Sequence, residues 1–236
     1  MKALRGKPFT TEETLLSPRP ATSNRALRPN AQPATTLWLI RHAEVEEKYQ
    51  HVFGGRIDMA LSPRGHKQAA TLAGYLRKQK FDGLYASPMR RAQQTLAPLL
   101  VDGMPQPTVM TELREVDFGD WTGLRWHEVQ EKFGISAFDW LDELERDQIT
   151  NAECGLTFRG RVEPALRQIL GRHIGQQVAI LCHGGVIRMI LAILLDWRLP
   201  ILARFEIEYA SITQVLWSAP RGRLQLVNFA PWRDLP

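Results

Sequence analysis

Two short apolar runs, Leu37-Trp38-Leu39-Ile40 and Val178-Ala179-Ile180-Leu181, each run into a histidine, and this shared ending constrains the fold more than any other feature of the chain. The first delivers Arg41-His42-Ala43-Glu44 and the second Cys182-His183-Gly184-Gly185. A β-type run that sets a guanidinium beside an imidazole is expected to be a strand opening into a site. A lone Arg-His pair would more simply be a core or surface histidine. A second histidine at the end of a second strand changes that, because the two can share one place.

The segments between these runs predict how they come together. Ser62 caps a helix with Pro63 at its first position, and Ala69, Leu72, Ala73 and Leu76 form its apolar stripe. Phe81 to Ser87 is expected as a strand and Met89 to Leu100 as a helix, with Thr108-Val109-Met110 as a short edge strand. Glu44 to Met59 is expected as a loop. Helical patterns follow over about 123–133, 136–148 and 156–172. The stretch 184–195 is apolar nearly all round and therefore buried. Ile212 to Trp217 and Leu224 to Phe229 close the chain as a strand pair turning at Pro220-Arg221-Gly222-Arg223. Strands alternating with helices predict an α/β protein with a largely parallel sheet. Ligands of such sheets sit beyond the carboxyl ends of the strands, where His42 and His183 are expected to converge.

Charge narrows the partners. The net charge is +5, but residues 1–34 hold six Lys/Arg against Glu12 and Glu13, which is +4, so the remaining 202 residues carry about +1. The body therefore lacks the basic patch that nucleic-acid binding needs. Residues 1–34 also hold five prolines without apolar periodicity, and they are expected to be a disordered basic extension to a catalytic domain over 35–236. No apolar stretch approaches the ~20 residues of a membrane span. Two cysteines and no apolar signal core point to a cytoplasmic setting, and no Cys/His cluster has metal-ligand spacing. Neither metal nor cofactor is expected. The oligomeric state is left open, with a dimer among the options.

Two imidazoles (His42, His183), two guanidiniums (Arg41, Arg91) and one carboxylate (Glu115) suit attack by nitrogen on an anionic centre. A neutral imidazole can take a phosphoryl group covalently, splitting one difficult displacement into two. Guanidiniums and a second imidazole can hold the equatorial oxygens, and a carboxyl group can protonate the leaving oxygen and then activate water. An acyl hydrolase using His-Gly-Gly as an oxyanion motif is the rival, but the chain has no G-x-S-x-G nucleophile turn.

These residues also carry a family resemblance. Arg41-His42-Ala43 resembles the R-H-G signature of the histidine phosphatase superfamily, the phosphoglycerate mutase-like proteins of branch 1. The resemblance continues through Phe53-Gly54-Gly55, Asp58-x-x-Leu61-Ser62-x-x-Gly65-x-x-Gln68-Ala69 and Ser87-Pro88-Met89-Arg90-Arg91-Ala92-x-x-Thr95. It then runs through Leu113-Arg114-Glu115-x-x-Phe118-Gly119-x-Trp121, His183-Gly184-Gly185-x-x-Arg188, and finally Ser211-Ile212-Thr213 and Asn228, in order over about residues 36–230. It implies a three-layer α/β/α sandwich and a phosphohistidine mechanism with His42 as nucleophile. Arg41, Arg91 and His183 would form the phosphate pocket, Glu115 would be the proton donor, and Lys48, Gly54, Gly55 and Gly184 would contact substrate. The partner implied is a small phosphorylated metabolite, with inorganic phosphate as product.

There are departures from the pattern. Ala43 replaces a glycine, which should still admit the phosphate, and Lys48 replaces an asparagine, keeping a donor and adding charge. Trp126 stands where mutases are similar in carrying a lysine, and the adjacent arginines that hold a glycerate carboxylate are absent downstream of Glu115; without those cations hydrolysis is expected over transfer. Phosphoglycerate mutase-type transfer and an inactive binding module of the same fold are the alternatives, but all five polar residues are present. Residues 118–150 are expected to be a helical lid, with Trp126, Phe133, Phe138 and Trp140 either packed together or forming an apolar wall as in α-ribazole phosphatases. Arg56, Arg114 and Arg125 are candidates for holding a second anionic group.

Overall fold

The computed structural model describes residues 33–101 and 103–236, so the extension expected over residues 1–34 lies, but for Pro33 and Ala34, outside the described residues. The elements run β1 (Thr35–Arg41), α1 (Pro63–Leu76), β2 (Gly83–Ala86), α2 (Arg90–Leu96), β3 (Thr108–Val109), α3 (Trp126–Phe133) and α4 (Trp140–Glu145). They continue with α5 (Gly155–Arg172), β4 (Gln177–Cys182), α6 (Gly184–Leu195), β5 (Ile212–Ser218), β6 (Arg221–Phe229) and α7 (Pro231–Asp234). The six strands form one sheet in the order β3-β2-β4-β1-β5-β6. The pairings from β3 to β1 are parallel and those of β5 antiparallel.

Strand β1 pairs in parallel with β4 from Thr36↔Gln177 to Arg41↔Cys182, which sets the carboxyl ends of the two strands side by side. Both runs are apolar on every residue because both faces of the sheet are covered. Leu37 and Leu39 of β1 join Val178, Ile180 and Cys182 of β4 in a core with α5 and α6. Trp38 and Ile40 join Ala179 and Leu181 in a second core with α1 and α2. Alternation along two strands thus builds the three layers. Nine of the twelve residues of α6 are buried, as its uniform apolarity implied.

Four details differ from the sequence expectations. The loop after β1 holds one 3-10 turn, Glu47–Tyr49. Helix α2 ends at Leu96 and tightens to 3-10 geometry over Ala97–Leu99, where Pro98 offers no amide proton to an α-helical bond. Helices α3 and α4 are shorter than 123–133 and 136–148: α3 starts only at Trp126, where Glu128 caps the Arg125 amide, and Ala137–Asp139 forms a 3-10 turn ahead of α4. The β5–β6 turn is only Ala219-Pro220, because Gly222 is already a strand residue paired with Trp217. A Cβ on Gly222 would meet Val215 Cγ1 at 3.0 Å and the Leu194 carbonyl at 3.1 Å, so this glycine serves close packing, not the turn.

Candidate active site

His42 is the first residue past β1, and its amide donates to the Cys182 carbonyl at the end of β4 (3.0 Å). Its Nδ1 lies 2.8 Å from the Ala43 carbonyl. A carbonyl only accepts, so the ring proton sits on Nδ1 and Nε2 keeps its lone pair. Arg91 Nε donates to that Nε2 at 3.2 Å. Burial above all, then the charges of Arg91 and Arg41, hold the His42 pKa well below the usual histidine range. The imidazole is uncharged at neutral pH.

Arg91 is held in place by its neighbours along α2 and by the loop after β1. Its Nη1 and Nη2 donate to the carbonyls of Ile57 and Gly55, each at 2.9 Å. One turn further, the Thr95 hydroxyl donates to the Arg91 carbonyl (2.7 Å) and accepts the Ala43 amide (2.9 Å), tying α2 to the loop that carries His42. Burial lowers the Arg91 pKa to about 10, so it remains a cation at neutral pH. The motif from Asp58 to Gln68 serves this loop from below. Ser62 Oγ donates to Glu44 Oε1 and caps α1 at Gly65, Gln68 Oε1 accepts the Glu44 amide, and Asp58 Oδ1 accepts the Arg90 amide.

His183 caps α6 and is wholly buried, its ring centroid 5.1 Å from that of His42. Its Nε2 lies 2.7 Å from Ser87 Oγ, and its Nδ1 has no hydrogen-bond partner among the described residues. Burial, then Arg91, His42 and Arg41, depress its pKa as well. Arg41 lies over the Tyr209 ring with Cζ 4.0 Å from the centroid; its Nη1 donates to the Ile207 carbonyl, while Nε has no partner among the described residues. The Glu115 carboxylate accepts the amides of Val116 (3.0 Å) and Gly185 (3.2 Å).

Arg41, His42, Arg91, Glu115, Gly54, Gly55, Gly184 and Gly185 border one cavity of about 410 Å³ beyond the ends of β1 and β4. His183 stands behind His42 and does not border it. The helical segment contributes Trp126, Ala137, Phe138 and Trp140, whereas Phe133 packs on Trp121 in the core with centroids 6.0 Å apart. The placement expected for Lys48 is corrected. Its side chain is 64% exposed, pairs with Glu46 and does not border the cavity, because the 3-10 turn directs Tyr49 inward instead. Arg56, Arg114 and Arg125 do not border it either; Arg56 faces Asp117 and Glu153.

Tyr209, Glu206 and Glu208 also line the cavity, and sequence reasoning missed them because they sit on an irregular segment with no periodicity to read. Arg188 was visible only as the end of the His-Gly-Gly motif. Its three nitrogens donate to the carbonyls of Leu202, Gly184 and Phe205, and burial lowers its pKa to about 10. Among the described residues, no three His, Cys, Asp or Glu side chains are grouped as metal ligands, and no helix is long and apolar enough to cross a membrane.

The sequence model of the histidine phosphatase superfamily (branch 1) matches residues 37–230. The adenosylcobalamin/alpha-ribazole phosphatase of Salmonella typhimurium is 31% identical over 184 residues, covering 78% of this chain and 88% of that protein. Phosphoserine phosphatase 1 of Hydrogenobacter thermophilus is 29% identical over 192 residues, covering 81% and 91%. The native structure of a mycobacterial glucosyl-3-phosphoglycerate phosphatase superposes with a TM-score of 0.72 at 25% identity, over 83% of this chain and 99% of that one. The chain belongs to branch 1 of the histidine phosphatase superfamily and is a phosphatase of the histidine type.

Proposed function

We propose that this phosphatase is a metal-independent phosphomonoesterase that hydrolyses a small phosphorylated metabolite through a phosphohistidine on His42. The observation that carries the mechanism is the state of His42. Its ring is uncharged, its proton is fixed at Nδ1 by the Ala43 carbonyl, and its Nε2 carries the lone pair, shared with Arg91 Nε–H until a bound phosphoryl group takes over that donor. Nε2 attacks phosphorus while the bond to the alcohol oxygen breaks, and Glu115 protonates the departing oxygen. Water then attacks phosphorus, the phosphorus–nitrogen bond breaks, and the water gives a proton back to Glu115. Phosphate leaves and His42 returns uncharged. Arg41 and Arg91 supply the positive charge that a metal ion supplies to other phosphoryl transfers. Ser87 Oγ accepts the Met89 amide and lies 2.7 Å from His183 Nε2; with the hydroxyl proton given to that nitrogen, His183 carries its own proton on Nδ1 as a donor beside the His42 ring.

Hydrolysis over transfer is supported by the walls. Arg188 turns three of its five N–H groups onto backbone carbonyls, which ties it to the fold and leaves it less free than a mutase's cations to hold and turn over a second anion. Trp126, Phe138 and Trp140 give the alcohol portion an apolar wall, with residues 118–150 acting as its lid. The relatives named above act on three different alcohols, in keeping with a shared centre and variable walls. Two free cysteines suit a cytoplasmic setting.

His42→Ala should abolish release of phosphate from p-nitrophenyl phosphate. Rapid quenching of the unaltered enzyme with ³²P-labelled substrate should trap acid-labile label on protein, and none on the variant. Undiminished turnover by His42→Ala would overturn the mechanism.

A further inference from the structure

Glu115 sits on a stretch that is neither helix nor strand, after a single 3-10 turn at Thr111–Leu113, so no ladder of backbone bonds fixes it. A single side chain takes over that task. Arg161, in the second turn of α5, donates through Nη1 to the carbonyls of Glu112 and Arg114 (2.8 Å to the latter) and through Nη2 to the carbonyl of Glu115 itself (3.2 Å). Its remaining donors pair in parallel with Glu153, Nε to Oε1 at 2.6 Å and Nη2 to Oε2 at 2.9 Å. All five N–H groups of the guanidinium are therefore used. Glu153 closes the far side, since its amide donates to the Asp117 carbonyl at 3.0 Å. The pair is well shielded, with side chains 19% and 5% exposed, and the guanidinium lies over the Phe158 ring.

We propose that Arg161, braced by Glu153, is the positioning residue for the proton donor. It gathers the carbonyls before Glu115 so that the carboxylate meets the Gly185 amide and faces the cavity. Lysine cannot replace it, because an ammonium has three donors without the planar fork that reaches three carbonyls and a carboxylate together. The inference rests on Glu115 being the donor, and the two can fail separately.

The test compares an alkyl phosphate, whose alcohol must be protonated as it leaves, with p-nitrophenyl phosphate, which leaves without help. Arg161→Lys should lower kcat/KM, which reports formation of the phosphohistidine and not its hydrolysis, about tenfold or more for the alkyl ester and less than about threefold for p-nitrophenyl phosphate. In a Glu115→Gln background it should cost the alkyl ester nothing further, because the two act as one unit. Equal losses on both esters, or an additional loss in the Glu115→Gln background, would overturn the positioning role. If Arg161→Lys does not fold, Glu153→Gln carries the same comparison: a loss confined to the alkyl ester supports the role, and equal losses overturn it. If Glu115→Gln alone shows no leaving-group dependence, the donor assignment fails instead.

Discussion

At Gly185 the backbone approaches a carboxylate more closely than any side chain would permit. A Cβ there would lie 2.4 Å from Glu115 Oε1 and 3.3 Å from the Trp140 ring. Gly185→Ala should therefore displace the carboxylate and lower kcat/KM for alkyl phosphates about tenfold or more, with a smaller loss for p-nitrophenyl phosphate. Glu115→Gln should slow poor leaving groups by on the order of 10²–10⁴ and activated ones much less. A Gly185→Ala enzyme with unchanged alkyl phosphatase kinetics would show that the amide contact is unimportant. The glycine's place in a motif was legible from sequence; its reason was not, since a close approach between α6 and the 115 segment is a fact of packing.

Among the elements, the segment holding α3 and α4 determines what the cavity will admit. Trp126 is 42% and Phe138 72% exposed, and their rings meet edge to face at 5.7 Å. Exposed positions cost little to truncate. Trp126→Ala and Phe138→Ala should accordingly leave thermal stability nearly unchanged, raise KM for aromatic phosphate esters several-fold, and leave inhibition by inorganic phosphate unaltered. A parallel rise in the phosphate inhibition constant would move these rings from the wall to the phosphate site. The sheet and its helices were readable because burial on one or two faces imposes a period on the sequence. Lys48 was misplaced for the opposite reason: within an irregular loop, a residue's position in a motif does not tell which way its side chain turns. Tyr209 and Arg161 were invisible on the same grounds, since stacking on Arg41 and gathering of distant carbonyls leave no local pattern.

Across the whole molecule, the two uncharged imidazoles tie stability to pH. His42 and His183 have pKa values held below those of the unfolded chain, near 6.5. Below that pH the unfolded chain takes up protons that the native state refuses, so the stability present above pH 6.5 is lost as pH falls. Below pH 6.5 each histidine contributes a slope approaching about 1.4 kcal/mol per pH unit, roughly 2.7 for both, until the native rings themselves take up protons. Urea unfolding across that window should show it, and His42→Gln should remove about half of the slope. A flat profile would mean that the rings are protonated in the native state. The pairing of β1 with β4 has one more consequence. Its strands touch in space yet stand far apart along the chain, so a fragment ending before Gln177 has no working centre. The centre can therefore assemble only after both strands and the segment through Tyr209 have been made, so its folding follows synthesis of most of the chain.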